Sequence, residues 1–335
     1  MTDNITKDSE KKREIVDAIS KNHYNPMNDA ICKFIFGREE RKSILIGFLN
    51  AVLEGSLGHS ITDIRYIPTE QIPLNNTGKS TRFDVACELD TGEFVDVEVQ
   101  VVDHKNMDKR TLLYWAQMYS ARSHSGEDYD ELRPAITINV VSFIINPADP
   151  DESPHSEYSM YKKNTWWRLN KQEEVHFIEI PKFLRAVRKP FRRMTRIERW
   201  MEYFSNRLNE QEKEELAMSD KAIGDAYAAA RVFFKSPEET MKYINRELAA
   251  MDYRSGMRAA REEGRTEGRS EGHSEGLAEG RSQGLAEGVA QGRAEAEQRY
   301  SRLLQILLAQ NRVNDIAKIA ADKAYLQELY REFSL

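Results

Sequence analysis

Polar and hydrophobic residues alternate along two neighbouring stretches of the chain, residues 82–89 and 95–101. The first reads Arg-Phe-Asp-Val-Ala-Cys-Glu-Leu and the second Val-Asp-Val-Glu-Val-Gln-Val, and this period of two is typical of β-strands. Between them, the tripeptide Asp-Thr-Gly at 90–92 suits a three-residue hairpin loop with glycine in the left-handed conformation. The register that this loop sets places Asp84 directly opposite Glu98.

The stretches around this hairpin predict a mixed α/β domain. Apolar residues recur every three or four positions in 38–54, as on one face of a helix, and a second helix is predicted at 107–122. The segment 61–72 is typical of a strand that Pro68 interrupts, so an edge or bent position suits it. The strongly apolar segment 135–145 predicts a strand buried on both faces. Further extended segments are predicted at 166–169 and 175–180.

Beyond Pro181 the pattern becomes helical. Helices are predicted at 183–188, 195–209, 219–234 and 237–252, the last opened by a proline in its first turn. Two short amphipathic helices are predicted after residue 294. We therefore expect a leader, an α/β core, a helical region, a repeat and a C-terminal pair of helices, at 1–25, 26–190, 191–253, 254–293 and 294–335.

A four-residue repeat fills the segment 254–293. Glycine stands at every fourth position from Gly264 to Gly292, each preceded by Glu or Gln, and a third row is rich in arginine. Each glycine costs a helix roughly 1 kcal/mol relative to alanine, and like charges stack at four-residue spacing, which favours a flexible spacer. A row of small residues would also let a second helix approach closely, with arginine facing glutamate. Both interpretations, a flexible spacer and a self-associating helix, fit the pattern.

Composition places the chain among ordinary globular proteins. Its 335 residues suggest about two domains, with 31% charged and 40% hydrophobic residues. No apolar run is long enough to cross a bilayer, and the first residues lack the apolar core of a signal peptide. Cys32 and Cys87 both lie in apolar segments and suit reduced core thiols. We therefore expect a cytoplasmic protein that does not contact membranes.

The charge of the chain is unevenly distributed. A net charge of −6 argues against a protein that coats DNA through overall basic charge. Residues 161–210, however, hold 13 Lys and Arg against 6 Glu. Phosphate binding needs only such a local patch, although a solvated basic helix has the same composition.

Two opposed carboxylates, Asp84 and Glu98, would destabilise a bare sheet through mutual repulsion. A divalent cation that prefers oxygen ligands would reverse the sign of this interaction. The plainer interpretation is a polar sheet face turned to water. Asp96, which shares the face of Glu98, would either join the cation site or simply be solvated.

The residues around this pair resemble the recombination-promoting nuclease and transposase family of bacteria, within the PD-(D/E)XK nuclease superfamily. Asp84 followed by Glu-Val-Gln at 98–100 looks like the superfamily signature, with glutamine in place of the usual lysine. The Lys-Phe-Ile-Phe-Gly segment at 33–37 and the later Arg110 and Tyr114 extend the resemblance over roughly residues 26–180. It implies a restriction-endonuclease-like core, which is a mixed sheet flanked by helices, followed here by an all-helical C-terminal region.

The resemblance also implies a site for Mg²⁺, with Mn²⁺ as an alternative. Asp84 and Glu98 would be carboxylate ligands, and the carbonyl of Val99 a third ligand. Gln100 would orient water or phosphate without supplying the positive charge of a lysine. The residues expected to support the site or contact phosphate are Asp29, Lys79, Arg110 and Tyr114. Asp29 would equally serve as an N-cap alone, and Arg110 and Tyr114 as the surface of an amphipathic helix.

We therefore expect a Mg²⁺-dependent DNA endonuclease, linked to recombination or mobile elements, that self-associates through its C-terminal repeat. The alternative is a catalytically inactive nucleic-acid-binding or scaffold protein that keeps the nuclease fold. A nuclease directed at RNA also fits these residues.

Overall fold

The computed structural model describes the backbone of residues 2–68, 70–71, 81–82, 84–121 and 128–335, and the side chains of 9–68, 84–121 and 128–335. Contacts divide the chain into two compact units, Met1–Gly256 and Met257–Leu335. None of the described helices combines the length and the apolar character that crossing a membrane requires.

The described chain contains ten strands and eleven α-helices. The strands are β1 (Ile64–Tyr66), β2 (Glu70–Gln71), β3 (Thr81–Arg82), β4 (Val85–Leu89), β5 (Phe94–Gln100), β6 (Ala135–Val141), β7 (His155–Tyr158), β8 (Tyr161–Lys162), β9 (Trp167–Arg168) and β10 (Glu173–Glu179). The helices are α1 (Thr2–Ser20), α2 (Asp29–Phe36), α3 (Lys42–Val52), α4 (Met107–Ser120), α5 (Ile180–Arg185), α6 (Arg196–Phe204), α7 (Glu210–Ser219), α8 (Lys221–Phe233), α9 (Pro237–Ala309), α10 (Val313–Ala321) and α11 (Lys323–Glu332).

Six strands form one mixed sheet in the order β1-β4-β5-β6-β10-β7. Strand β4 is antiparallel to β1 and β5, β6 is parallel to β5 and β10, and β7 closes the far edge antiparallel to β10. The remaining described strands pair as β2 with β3 and β8 with β9. The predicted architecture, a mixed sheet flanked by helices and followed by a helical region, is confirmed.

The β4–β5 hairpin forms with the predicted loop. The N–H of Leu89 donates to the carbonyl of Glu93 at 2.8 Å. Gly92 has a φ of +97°, in the region that glycine enters without steric cost. Continued past the start of β4, the register carries Asp84 to a position opposite Glu98.

Helices cover both faces of the sheet beside this hairpin. One face shares a core with α2, α3, α6 and α8, in which Ile35, Phe48 and Trp200 are fully buried. Helix α4 lies on the other face of β5 and β6. It is fixed there partly by polar contacts, since Nδ2 of Asn139 donates to Oγ1 of Thr111 at 2.9 Å. The acidic face of β5 is therefore buried.

Several predicted boundaries differ from those of the structure. The single edge strand predicted at 61–72 is divided in the structure: Ile64–Tyr66 lies at the edge of the main sheet, and Glu70–Gln71 pairs separately with β3. The strand predicted at 135–145 ends at Val141 and is buried along its whole length, as predicted. The helix predicted to end near residue 252 instead continues to Ala309, through the whole glycine repeat.

The second unit has a small core of its own. Leu303 and Leu307 near the end of α9 pack against Ile319 of α10 and Leu329 of α11. Residues 261–299 of α9 are exposed, and a Cβ built on any glycine from Gly264 to Gly292 would meet no other heavy atom within 4 Å. The repeat therefore has a helical backbone and a row of open positions along one side.

Candidate active site

Asp84 and Glu98 meet where β4 begins and β5 ends. The N–H of Asp84 donates to Oε1 of Glu98 at 3.0 Å, and Oδ2 of Asp84 accepts from the N–H of Val99 at 3.2 Å. The Glu98 side chain is 2% exposed and that of Asp84 is 16% exposed. The structure thus brings together the two carboxylates that the sequence pairs, and it excludes the interpretation that they form a sheet face turned to water.

Burial raises the pKa of all three carboxyls on this side of the hairpin. The pKa of Glu98 rises to about 8, first because the side chain is buried and then because Asp84 is negatively charged. Burial also raises the pKa of Asp84, although Lys33 opposes the change. Asp96 is fully buried, and burial followed by the charge of Glu98 places its pKa well above the usual range. Neither oxygen of Asp96 has a hydrogen-bond partner among the described residues. Because the side chain is fully buried, the alternative that Asp96 is solvated is wrong.

Lys33, from the middle of α2, reaches the same site. Its Nζ lies 2.9 Å from Oδ1 of Asp84 and 2.6 Å from Oδ1 of Asp29. Burial alone would lower the pKa of Lys33, but the two carboxylates hold it above its usual value, so the amine stays protonated at neutral pH. The sequence reasoning assigned Lys33 no role. The signal was present in the i, i+4 spacing from Asp29, which places both side chains on one face of the helix.

Arg110 binds the other carboxylate. Its Nη2 donates to Oε2 of Glu98 at 2.8 Å, and its Nη1 donates to Oε1 of Gln100 at 3.1 Å. The guanidinium lies over the ring of Tyr114, 4.9 Å from the centroid, one helical turn along α4. Nε2 of Gln100 donates to the carbonyl of Val102 at 3.0 Å, so both ends of the amide are held. Arg110 thus contacts Glu98 and Gln100 directly, and Tyr114 contacts Arg110.

Asp29 and Lys79 are the other two residues expected to support the site or contact phosphate, and the structure describes only Asp29. The residue that caps α2 is Asn28, whose Oδ1 accepts from the N–H of Ala30 at 3.0 Å. The alternative that Asp29 serves only as an N-cap is therefore wrong. Its carboxylate pairs with Lys33 and, at 3.3 Å, with Nη2 of Arg246. Lys79 lies outside the described residues.

A cavity of about 380 Å³ opens beside these groups. Asp84, Val99, Gln100 and Arg110 line one side of it. Arg246, Glu247 and Tyr253 of α9 also line it. The sequence predicts a helix in this region but contains no signal that the helix borders the carboxylates.

The donors at this cavity suit a hard divalent cation. Asp84 and Glu98 offer carboxylate oxygens, which Mg²⁺ and Mn²⁺ prefer. The N–H of Val99 points at Asp84, and in an extended strand the carbonyl of the same residue points to the same side. Among the described residues no three His, Cys, Asp or Glu side chains converge on one point. Backbone carbonyl and water oxygens would therefore complete the coordination.

Comparison with known proteins gives one match. A family model described as a PD-(D/E)XK nuclease family transposase matches residues 26–260, more than half of the chain and a range that includes every residue named at the cavity. Neither the curated proteins nor the solved structures include a significant match.

Proposed function

The chain belongs to the PD-(D/E)XK nuclease transposase family, as its sequence predicts, and from this premise we propose that it is a Mg²⁺-dependent endonuclease that cleaves DNA. Membership of this family indicates a nuclease with a link to mobile elements, and PD-(D/E)XK nucleases generally use divalent metals. The observation that carries the finer proposal is the contact between Asp84, which lines an open cavity, and the buried Glu98 beside it. A divalent cation would favour the ionised form of both carboxyls and offset the repulsion between them.

Asp84, Glu98 and the carbonyl of Val99 are the groups that would hold the metal. When bound there, Mg²⁺ would supply a nucleophilic water and neutralise charge on the phosphate. Arg110 and the carbonyl of Val102 hydrogen-bond the two ends of the Gln100 amide and fix its orientation at the end of β5. There the amide would orient water or a phosphate oxygen. Arg110 opposes the rise in the pKa of Glu98, because its positive charge stabilises the carboxylate form.

We propose that Lys33 supplies the positive charge that glutamine at position 100 lacks. Its ammonium lies within 3 Å of a proposed metal ligand and is attached to α2 instead of β5. A protonated lysine next to the scissile phosphate stabilises the negative charge that develops in the transition state. The role of the signature lysine would then be filled from a different element of the fold.

Cleavage of supercoiled plasmid DNA tests the proposed activity. The wild-type chain should convert it to nicked or linear forms with Mg²⁺ and leave it intact with a chelator. DNA retention that falls with salt, without cleavage under either condition, would support the inactive scaffold protein instead. Cleavage of RNA alone would contradict the DNA assignment.

We further propose that the chain acts in the cytoplasm, on DNA undergoing recombination or transposition. Both cysteines are buried free thiols, as in proteins of reducing compartments. The link to recombination rests on the transposases of the matching family.

We also propose that the chain self-associates through the repeat in α9. An isolated helix with eight glycines is marginal in water, and the Glu and Arg rows beside the glycines complement those of a second copy. Replacing Gly276, Gly280 and Gly284 with leucine should therefore shift the full chain toward monomer in sedimentation experiments, even though leucine favours helix.

Leucine at Ser270, Ser274 and Ser282 is the matched control, because these positions lie on the opposite side of the helix, two residues from the glycine row. That variant should sediment like the wild type. A monomeric wild type, or equal effects of the two leucine sets, would contradict the proposed pairing.

A further inference from the structure

The β8–β9 ribbon carries aromatic rings that the core does not use. Trp166 and Trp167 are 77% and 74% exposed, whereas Trp200 is fully buried. Tyr161, on the other strand of the ribbon, is 46% exposed. Large rings left in water contribute little to folding, and clusters of them mark binding surfaces.

The charge of this segment is one-sided. Residues 158–172 contain four basic residues and no acidic residue, in a chain whose net charge is −6. The four are Lys162, Lys163, Arg168 and Lys171. Trp167 pairs with Lys162 across the ribbon, and Tyr161 pairs with Arg168. Because paired residues of a ribbon share a face, Lys162 lies beside the Trp167 ring and Arg168 beside Tyr161. Arg168 also lies 3.8 Å from Glu157 and Glu174, which leaves the lysines as the cations available to a ligand.

The backbone of Trp166 adopts an unfavourable conformation. The N–H groups of Thr165 and Trp166 both donate to the carbonyl of Lys162, which closes the turn between β8 and β9. Trp166 has a φ of +53°, in the left-handed region. That conformation costs a residue with a side chain about 1–2 kcal/mol, which glycine avoids. The folded chain gains no packing in return, since the ring is mostly exposed.

We propose that the β8–β9 ribbon binds single-stranded nucleic acid. Unpaired bases stack on Trp166 and Trp167, and the ammonium groups of Lys162 and Lys163 contact the phosphates between them. Bases offer flat π-faces and phosphates offer negative charge at regular intervals, which matches the alternation of rings and cations on the ribbon. A duplex hides its base faces within the stack and matches the same surface less well.

The ribbon connects to the end of the sheet that lies away from the carboxylates. It leads directly into Glu173, the first residue of β10, while Glu98 and Gln100 lie at the end of β5. Strands β5, β6 and β10 run parallel, so these two ends are separated by about 20 Å, the length of seven extended residues. The ribbon is thus a second contact site, and its binding does not depend on cleavage at Asp84.

Binding of a fluorescently labelled 20-nucleotide oligo(dT) to the full chain, measured by polarisation in chelator, tests the proposal. The double variant Trp166→Ala, Trp167→Ala should bind at least about 10-fold more weakly, because each stacked base contributes appreciably to affinity. Trp166→Phe, Trp167→Phe should retain most of the affinity. Lys162→Ala, Lys163→Ala should weaken binding and reduce its salt dependence. Parallel titrations with oligo(U) show whether RNA is bound as well as DNA.

The control variant is Met218→Ala, which removes another exposed apolar side chain, 82% exposed on α7, and should bind like the wild type. All variants should keep the wild-type melting temperature, since the altered side chains are exposed. Four outcomes would overturn the proposal. The first is an affinity of the tryptophan-to-alanine variant for oligo(dT) within twofold of that of the wild type. The second is a higher affinity of the wild type for matched duplex than for oligo(dT). The other two are no binding of nucleic acid at all and binding to anionic lipid vesicles only.

Discussion

Replacing Asp84 with asparagine should abolish plasmid cleavage in Mg²⁺. The rate should fall at least about 10³-fold, because the bound metal lowers the activation barrier by several kcal/mol. The fold should persist. Asparagine has the same shape, and its side-chain oxygen can still accept from the N–H of Val99. The change also removes the repulsion between Asp84 and Glu98 that raises the pKa of Glu98, so stability in chelator should be kept or improved.

Asp63→Asn is the matched control for this variant. Asp63 is an exposed acid that pairs with Lys42 at 2.7 Å, and it does not line the cavity. The control should cleave at the wild-type rate. If Asp84→Asn cleaves as fast as the control, Asp84 is not a ligand of the catalytic metal and the site assignment is wrong.

Replacing Lys33 with alanine should lower the rate constant of cleavage by about 10²-fold, in the range found when one preorganised donor to a transition-state charge is removed. The affinity for DNA should change much less, because a single phosphate contact is a small part of nucleic-acid binding. Lys33→Arg should recover part of the rate, since it restores the positive charge but not the compact shape of the ammonium. Single-turnover kinetics with excess enzyme separate the two quantities.

Lys42→Ala provides the comparison for Lys33. Lys42 also lies on an N-terminal helix of the core and pairs with two acids, Glu39 and Asp63, but unlike Lys33 it does not pair with Asp84. Its variant should retain the wild-type rate. Equal rates for Lys33→Ala and wild type would show that another group supplies the charge missing at Gln100, and the proposal for Lys33 would fail.

The sequence predicts the contact between Asp84 and Glu98 because it depends only on local rules. A period of two gives the strands, and a glycine with positive φ fixes the loop and hence the register. The same alternation does not say what covers each face of the strands. The polar face of β5 suggested contact with water, yet α4 covers it and Asp96 is fully buried.

The contributions of Lys33 and of the α9 wall depend on long-range packing. Lys33 meets Asp84 across 51 positions of sequence, and Arg246 meets Asp29 across 217. Such contacts follow from the way helices pack on the sheet, which no local periodicity encodes. For the glycine repeat, the sequence left both a flexible spacer and a helix open. Its low helix propensity made a flexible spacer plausible, but the backbone is helical from Pro237 to Ala309.

The central claim is that buried carboxylates at the end of β5 hold a divalent cation, and their raised pKa values predict how stability depends on pH. Unfolded Asp and Glu titrate near pH 4, whereas burial raises the pKa of Asp84 and Asp96, and that of Glu98 to about 8. Between these values the folded chain binds more protons than the unfolded chain. In chelator, the contribution of these three carboxyls to the free energy of unfolding is therefore greatest below about pH 4, and it falls as the pH rises toward 8.

Thermal unfolding of wild type and Asp84→Asn, followed from pH 5 to 8.5 with chelator and with Mg²⁺, tests this claim most directly. The wild type should lose stability in chelator as the pH rises. At pH 8, Mg²⁺ at 100 times its dissociation constant should raise the free energy of unfolding by about 2.7 kcal/mol. Asp84→Asn should show little response to Mg²⁺. A wild type whose unfolding at pH 8 is unaffected by Mg²⁺, or a variant that responds as strongly as wild type, would contradict the account.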